Sequence, residues 1–317
     1  MELVTAGRAE PLDGRGLNSS YRVAWGRRAL SVKVHCAERS SVAEFRRIGR
    51  VDSALRGTPW YPPILDLGFH EGAERPRLVV VRPYAPGTPA DDARRHITGV
   101  VDVLADLAAR GDGVRAEDAL VGDYASPWLD GARSERSLVD PLLTGQWRAL
   151  GRAMDAHLDE LRCGAARLTG VDDLLVHHGD LHGRNLIADG PGRLTVIDWD
   201  EAGFSRRPAD AGKALWLSCR LGRGDFALDP DATGLFLGRL HARLGMPYSG
   251  ALDLARLGAL WFLPRHGHVT LLGRRDASLG PWYLGWVQRF WTRFRRNLDL
   301  VAEAAAKLEA AAPPGGP

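Results

Sequence analysis

The sequence predicts an α+β fold in two lobes: a small N-terminal lobe built on an antiparallel sheet with one helix, and a larger, mainly helical C-terminal lobe. Three features predict it. The first part alternates apolar and polar residues between turns, "APGTPADD" then breaks that pattern, and most later residues have helical spacing. A chain of 317 residues accommodates two lobes. We expect them to span residues 1–87 and 88–311, with a disordered tail at 312–317.

Two strand pairs are predicted in the N-terminal lobe. Residues 18–35, "NSSYRVAWGRRALSVKVH", alternate on both sides of a "GRR" turn. The stretches "ILDLGFHE" and "RLVVVRPY" predict a second pair around "GAERP". The loop "DGRGLNSS" before the first pair is rich in Gly, Asn and Ser, a composition that frees backbone N–H groups.

Between the strand pairs, residues 40–56 have the spacing of a helix with one buried face. Ser40 or Ser41, followed by Glu44, resembles a capping box at the start of this helix. The apolar positions predicted to share the buried face are Val42, Phe45, Ile48 and Leu55.

Helices dominate the predicted C-terminal lobe. Asp91 and Asp92 suit the first turn of a helix, and residues 92–172 predict two or three helices with a loop near "GDYASPW". The short apolar strands "LLVHHGD" and "RLTVIDWD" follow. Beyond residue 205 the spacing is helical to about residue 311, with breaks at "LGRGD", "GMPYSG", "LPRHGH" and "SLGPW".

The composition argues against several classes of protein. No apolar run approaches the ~20 residues of a membrane span, and "MELVTAGRAEPLDGRG" lacks the pattern of a signal peptide. Three widely spaced cysteines indicate reduced thiols in a cytoplasmic protein. The net charge of +3 is too small to argue for a nucleic-acid partner. The sequence leaves the oligomeric state open.

Basic residues are unevenly distributed. Residues 241–317 hold ten Arg and Lys against five Asp and Glu, a net charge of +5, interleaved with aromatic residues. Only three of the 42 basic residues are lysines: Lys33, Lys213 and Lys307. Because Arg and Lys differ in size, hydration and phosphate geometry, a lysine inside a predicted strand, such as Lys33, needs a specific reason.

One ordered set of residues has the chemistry of phosphoryl transfer. Lys33 lies in a strand and Glu44 in a helix, while "HHGDLHGRN" places Asp180 five residues before Asn185, and Asp198 follows in "IDW". A lysine can hold nucleotide phosphates, and a glutamate can fix that lysine. One aspartate can orient and deprotonate a hydroxyl, whereas an Asn and a second Asp offer oxygen ligands to Mg²⁺.

The segments "HGDLHGRNLI" and "LTVIDWDEAG" are similar to the paired signature of the aminoglycoside phosphotransferase and choline kinase family, small-molecule kinases with a two-lobed, protein-kinase-like fold. The resemblance covers residues 12–216. It implies that Asp180 is the catalytic base, that Asn185 and Asp198 bind Mg²⁺, and that ATP or GTP donates the phosphate.

The same resemblance implies further roles. Lys33 and Glu44 would form the pair that clamps the phosphates, and His178 would brace the catalytic loop by hydrogen bonding. The carbonyl group of Pro83 and the N–H of Ala85 would meet the nucleobase at the hinge "VRPYAPG". The remaining implied residues are those of the nucleotide loop and a histidine beside the γ-phosphate or the substrate: Asn18, Ser19, Ser20 and His182.

Structural explanations compete with these roles. Asp180, Asn185 and Asp198 could be turn residues, although their ordered spacing argues against it. Lys33 could be a solvated strand residue, and Glu44 could serve only as a helix cap.

The three histidines could suggest a metal site. We disfavour it, because no zinc-ligand spacing accompanies His177, His178 and His182, and Mg²⁺ prefers oxygen. Asp200 and Glu201 either orient Mg²⁺ or the substrate, or are solvated or capping residues.

The segment "PWYLGWVQRFWTRFRRN" predicts a helix that buries one face, because Trp282, Trp286, Phe290 and Phe294 recur every four residues. In the alternative, Trp282 and Trp286 form a pocket wall on which a substrate ring stacks. RNA binding by such aromatic and basic residues is disfavoured, since no nucleic-acid module accompanies them.

The predicted function is transfer of the γ-phosphate of ATP or GTP onto a hydroxyl of a small molecule, such as an antibiotic or related natural product. A polycationic acceptor would suit an acidic pocket, so the net positive C-terminal segment favours a neutral or anionic acceptor. The alternatives are a kinase for choline, homoserine or a sugar, an aminoglycoside kinase, and a kinase-like binding protein without activity. Protein kinase activity is disfavoured because H-R-D, D-F-G and A-P-E are missing.

Overall fold

The structure, a computed structural model, has a sheet near the N-terminus followed by a mainly helical part. It describes residues 9–12, 17–71, 75–89, 96–110, 122–168, 174–188, 194–222 and 224–312. Asp91, Asp92, most of the "GAERP" turn and residues 313–317 of the predicted tail lie outside the described residues. No helix in the described ranges combines the length and hydropathy that a membrane span needs.

The N-terminal sheet has five strands, β1 (Ala9–Pro11), β2 (Ser19–Trp25), β3 (Arg28–Val34), β4 (Asp66–His70) and β5 (Arg77–Pro83). Their order is β1-β2-β3-β5-β4, and each neighbouring pair is antiparallel. Both predicted pairs, β2–β3 and β4–β5, are present. The pairing of β3 with β5, which places Lys33 opposite Val80, joins segments far apart in the chain and was not predicted.

One helix, α1 (Val42–Leu55), packs on this sheet as predicted. The Ser41 hydroxyl accepts a hydrogen bond from the backbone N–H of Glu44 at 3.1 Å, the capping contact that the sequence indicated. Ile48 and Leu55 are buried, whereas Val42 is 57% exposed. The expectation that Val42 lies on the buried face is wrong, because this first helical residue precedes the turns that contact the sheet.

Nine α-helices follow in the part of the chain that the structure describes. They are α2 (Ile97–Ala109), α3 (Ser126–Asp130), α4 (Ala132–Val139), α5 (Arg148–Arg167), α6 (Ala209–Ser218), α7 (Pro230–Leu244), α8 (Ala251–Ala259), α9 (His266–Arg275) and α10 (Leu279–Ala311). Four of them lie between residues 92 and 172, where two or three were predicted. The surplus comes from two short helices, α3 and α4. The first begins at Ser126, within the "GDYASPW" segment expected to be a loop, and the second begins just after it, at Ala132.

Short strands lie between the helices: β6 (Thr88–Pro89), β7 (Leu175–His177), β8 (Leu186–Ala188), β9 (Leu194–Val196), β10 (Gly203–Ser205), β11 (Arg220–Gly222) and β12 (Asp225–Leu228). The predicted strands appear as β7 and β9, which pair with β10 and β8, respectively. The β11–β12 hairpin contradicts the expectation of helices interrupted only by a break at "LGRGD". Gly224, with φ +86°, supplies the left-handed conformation that this turn uses.

The helical core is densely packed around α6. A Cβ atom on Gly258 of α8 would lie only 2.0 Å from the carbonyl oxygen of Gly212 in α6, so the two backbones are in direct contact. On α10, Phe290 and Phe294 are fully buried, as the stripe predicted, whereas Trp282 is 48% exposed. The close contact with α8 fixes the position of α6 in the core.

Candidate active site

The loop that carries Asp180 is anchored to α6 by Asp210. The buried Asp210 carboxylate accepts hydrogen bonds from the backbone N–H groups of His178 and Gly179, the latter at 2.7 Å. Gly179 has φ +82°, and a Cβ atom there would lie 2.4 Å from the carbonyl oxygen of Glu201. Only glycine fits this position, so the loop has one defined backbone path.

His178 links this loop to the segment after β9. Its side chain is fully buried, its Nδ1 accepts a hydrogen bond from the N–H of Asp180 at 3.1 Å, and its Nε2 lies 2.9 Å from the carbonyl oxygen of Ile197. Burial lowers the pKa of His178, so the ring is neutral and Nε2 is the donor. This geometry supports the bracing role that the resemblance implied.

The Asp180 carboxylate is held on both oxygens. Lys213 Nζ lies 2.6 Å from Oδ1, while His182 Nε2 and Asn185 Nδ2 lie 3.4 and 3.3 Å from Oδ2. Burial raises the pKa of Asp180, but the charge of Lys213, followed by that of His182, outweighs burial and holds the pKa well below its usual range. Asp180 is therefore an ionised hydrogen-bond acceptor at neutral pH.

Asn185 and Asp198 present oxygen ligands beside Asp180. Asn185 Nδ2 donates to the carbonyl oxygen of Asp180 at 2.9 Å, which leaves its amide oxygen as a ligand. Asp198 has φ 64°, the only positive φ of a non-glycine residue in the described ranges, and such strain is typical of functional sites. One carboxylate and one amide oxygen fit Mg²⁺, which commonly completes its shell with phosphates and water. Among described residues, no three His, Cys, Asp or Glu cluster as a metal site of their own.

Lys33 pairs with the "IDWD" segment rather than with Glu44. Its Nζ lies 2.5 Å from Asp198 Oδ1 and 2.8 Å from Asp200 Oδ2. Burial lowers the pKa of Lys33, but Asp200 and then Asp198 outweigh it and raise the pKa above its usual range. The expected Lys33–Glu44 pair is contradicted, because Glu44 pairs with Arg47 one turn along α1. Arg47 also donates to the carbonyl oxygen of Asp200 at 2.6 Å.

Two of the three predicted nucleotide-loop residues face the same cleft. Asn18 Nδ2 donates to Asp200 Oδ2 at 2.5 Å, and Asn18 Oδ1 accepts from the N–H of Cys36 at 3.0 Å. Ser20 lines the cleft. Ser19 is exposed and does not reach it, because successive residues of a strand point to opposite faces.

The predicted hinge also reaches the cleft. Pro83 and Ala85 line it at the end of β5. Gly87 follows with φ +117°, and a Cβ atom there would lie 2.3 Å from the carbonyl oxygen of Ala188. The chain therefore passes against β8 at Gly87, next to the predicted lobe boundary.

Aromatic side chains wall the other half of the cleft. The Trp261 ring centroid lies 3.8 Å from Lys213 Nζ and 5.3 Å from the centroid of Trp286. Trp286 contacts Tyr283 in turn, and Trp282 lines the cleft while remaining half-exposed. The cleft measures about 1370 Å³, above the roughly 300–1,000 Å³ of an ordinary small-molecule pocket. It therefore has room for a nucleotide and an acceptor.

The charges that line the cleft are balanced, unlike those of the C-terminal segment. Of the ten basic residues in that segment, Arg265 is the one found among the described lining residues. Others form ion pairs elsewhere, as Arg256 and Arg295 do with Glu160. The net charge of +5 is therefore not evidence for an anionic acceptor. The lining groups are basic Lys33, Arg39, Arg47, Arg82, Arg184, Lys213 and Arg265, and acidic Glu44, Asp123, Asp130, Asp180, Asp198, Asp200 and Glu201.

Sequence reasoning missed several residues of this site, among them Trp261, Arg47 and two residues of α6. Asp210 gave no local signal, because an aspartate in the first turn of a helix is common. Lys213 did give one: it is a lysine in a chain that otherwise uses arginine, the same observation that singled out Lys33.

The fold and the site are those of a two-lobed phosphotransferase, with a lysine-bearing sheet, a loop aspartate, and side-chain oxygens of an Asn and a second Asp beside it. The chain belongs to the phosphotransferase enzyme family (APH), whose model matches residues 8–229. This confirms the predicted family.

Individual proteins that resemble this chain are consistent with the family match. The chain is 33% identical over 203 residues to viomycin phosphotransferase of Streptomyces vinaceus, a match that covers 55% of this chain and 63% of that protein, less than two thirds of its length. A microcompartment-associated aminopropanol kinase is similar in structure, with a TM-score of 0.69, 18% identity, and coverage of 95% of this chain and 97% of its own. Spectinomycin phosphotransferase, solved with ADP and spectinomycin, is similar in structure with a TM-score of 0.59 and 13% identity. The match covers 95% of this chain and 93% of that protein. The predicted fold class is thereby confirmed.

Proposed function

We propose that this protein transfers the γ-phosphoryl group of ATP or GTP, with Mg²⁺, to a hydroxyl of a small molecule. The observation that carries the proposal is the convergence of Lys33, Asp180, Asn185 and Asp198 on one cleft in a chain of the phosphotransferase family. Phosphoryl transfer needs positioned donors and charge neutralisation more than covalent chemistry, and these four groups supply both.

The nucleotide half of the cleft would hold the donor. Pro83, Ala85 and Lys33 line the same cleft. Backbone groups of Pro83 and Ala85 would meet the nucleobase, and Lys33 would hold the phosphates. Lys33 would then exchange its contacts with Asp198 and Asp200 for contacts with the nucleotide. Asn185 and Asp198 would hold Mg²⁺, which neutralises charge on the phosphates when bound.

Asp180 would act on the acceptor. Its ionised carboxylate accepts a hydrogen bond from the acceptor hydroxyl and directs the hydroxyl oxygen at the γ-phosphorus. The new O–P bond forms as the bond to the β–γ bridging oxygen breaks, and the proton passes to Asp180. Because the transition state is loose, a carboxylate with a low pKa suffices for this late proton transfer.

The acceptor half supports a hydroxylated molecule with an apolar or planar face, such as an antibiotic or related natural product. Trp261, Trp282 and Trp286 offer surfaces for stacking. The balanced charge of the cleft supports a neutral acceptor over a polycationic one, and Arg265 is the group that would receive an anionic substituent. The relative and the neighbour named as antibiotic phosphotransferases support the same class.

A metabolite kinase is the second candidate, favoured by the similarity to an aminopropanol kinase. An aminoglycoside kinase is also represented among the structural neighbours, by an enzyme solved with hygromycin B. A non-catalytic binding protein is disfavoured, because Lys33, Asp180, Asn185 and Asp198 are all present in the cleft.

The test is a screen of nucleotide consumption with Mg·ATP and Mg·GTP. The acceptor panel holds viomycin, spectinomycin, hygromycin B, a macrolide, aminopropanol, choline and homoserine, with mass spectrometry for a phosphate adduct. We expect one adduct that forms with the parent protein and not with Asp180→Asn. If the parent and Asp180→Asn consume nucleotide at equal rates and neither forms a phosphate adduct, the proposal would be contradicted.

A further inference from the structure

Lys213 is a buried cation at the inner wall of the cleft. Its side chain lies in the middle of α6, and the residue is 1% exposed. The ammonium contacts three groups: the carbonyl oxygen of Gly179 at 2.6 Å, Asp180 Oδ1 at 2.6 Å, and the face of Trp261 with its centroid at 3.8 Å. A charge at this depth is tolerated only where such partners compensate it.

The choice of lysine fits the geometry. Of 42 basic residues, 39 are arginine, yet this site holds a lysine. An ammonium is compact and can point its donors at a carbonyl and a carboxylate in different directions, whereas the planar guanidinium fork is larger and favours one bidentate partner. Arginine would not replace the contacts of Lys213 without displacing Gly179 or Trp261.

The helix that carries Lys213 is itself immobilised. Gly212 is in backbone contact with Gly258 of α8, and Asp210 on the same helix binds the N–H groups of His178 and Gly179. One rigid helix therefore holds the catalytic loop twice: Asp210 holds its backbone, and Lys213 holds its reactive side chain.

We propose that Lys213 is a positioning residue for phosphoryl transfer, which locks Oδ1 of Asp180 and leaves Oδ2 to receive the acceptor hydroxyl. The inference rests on the proposed function of the cleft. Oδ1 is held at 2.6 Å, whereas the contacts of Oδ2 with His182 and Asn185 are longer, at 3.4 and 3.3 Å. Oδ2 is therefore the oxygen whose contacts a hydroxyl can replace. Trp261 rests on the same ammonium, so Lys213 also links the aromatic wall to Asp180.

Kinetics of Lys213→Met test the role, with Lys307→Met as the matched control because Lys307 is the exposed lysine on α10. We expect kcat for the acceptor found in the screen to fall roughly 10- to 100-fold, the scale of a misplaced catalytic group. The KM for Mg·ATP should change by less than about twofold, since Lys213 does not touch the nucleotide half. In an Asp180→Asn background, Lys213→Met should cause no further loss. If the two substitutions instead reduce kcat independently, so that their fold-losses multiply in the double variant, the inference would be overturned.

Chemical rescue separates positioning from general damage. In Lys213→Ala, propylammonium should enter the vacated space from the cleft and restore part of kcat, whereas 1-propanol of similar size should not. Equal effects of the two compounds would overturn the inference, because a space-filling role requires no charge.

Crystal structures give a readout that needs no acceptor. Asp180 should keep its rotamer in the parent and in Lys307→Met, and should turn away from α6 in Lys213→Met. An unchanged rotamer in Lys213→Met would overturn the inference even if phosphate transfer is observed. If the rotamer changes but the parent phosphorylates nothing in the panel, the proposed function fails while the positioning contact stands.

Discussion

Lys33 Nζ and Asp198 Oδ1 lie 2.5 Å apart, so the strand lysine and the carboxylate proposed to bind magnesium neutralise each other across the cleft. Asp200 adds a second contact with Lys33 at 2.8 Å. In a nucleotide complex, a phosphate would take the place of Asp198 beside Lys33, and a cation would take the place of Lys33 beside Asp198. The pair therefore holds both groups at the place where a Mg·nucleotide is expected.

Replacing Asp198 should weaken nucleotide binding that depends on magnesium. We expect Asp198→Ala to raise the Kd for Mg·ATP at least about tenfold, the scale of a lost metal ligand, with little effect on binding of metal-free ATP. Isothermal titration with and without Mg²⁺ measures both, and Asp299→Ala on the exposed side of α10 is the control. Equal affinities for Asp198→Ala and the parent would count against the metal role.

Asp210 should be more important for stability than its surface-like sequence context indicates. The two backbone N–H groups bind different oxygens of Asp210, and Asp210→Asn replaces one of these acceptors with an NH₂ donor in a buried site. We therefore expect the free energy of unfolding to fall by about 2 kcal/mol. Denaturant unfolding measures this, and Asp299→Asn should lie within about 0.5 kcal/mol of the parent. A loss no larger than that of the control would contradict the anchoring contact.

Two glycine substitutions of the same kind should have opposite effects. A Cβ atom on Gly258 would lie 2.0 Å from the carbonyl oxygen of Gly212, whereas one on Gly234, inside α7, meets nothing within 4 Å. Gly258→Ala should destabilise the protein by about 1–3 kcal/mol or more by overpacking. Gly234→Ala should stabilise it by up to about 1 kcal/mol through helix propensity. Thermal unfolding of the two variants checks the sign of each effect.

Stability should fall as the pH drops below about 6.5. Burial lowers the pKa of five histidines in the folded state, to about 4 for His268. Such groups bind more protons when unfolded, so their contribution is complete above the unfolded pKa and is lost as the pH falls towards the folded pKa. Thermal unfolding from pH 7.5 to 4.5 should show a declining Tm, and a Tm that rises on acidification would contradict this. The histidines are His35, His157, His177, His178 and His268.

Local sequence patterns were enough to predict much of the N-terminal part. Alternation and turn residues predicted β2 to β5, and Ser41 predicted the cap of α1, because the forces involved act between near neighbours in the chain. The partner of Lys33 could not be predicted in this way. That partner depends on where a segment 165 residues later in the chain docks. It also depends on the ion pair between Arg47 and Glu44, which leaves Glu44 with a different partner.

The helical part was predicted less well for the same reason. The "LGRGD" segment was recognised as a break, but its hairpin forms through pairing of β11 with β12, which no helical period reveals. The importance of Lys213 arises from contacts with Gly179 and Asp180, more than 30 residues away. Composition alone could have singled it out, since lysine is rare in this chain.

The central claim is that Asp180 performs the transfer step, and Asp180→Asn tests it most directly. Single-turnover transfer from Mg·ATP to the acceptor, measured beside Mg·ATP affinity, should show a loss of about 10²- to 10⁴-fold in rate with the Kd nearly unchanged. Equal turnover by the variant and the parent would contradict the account.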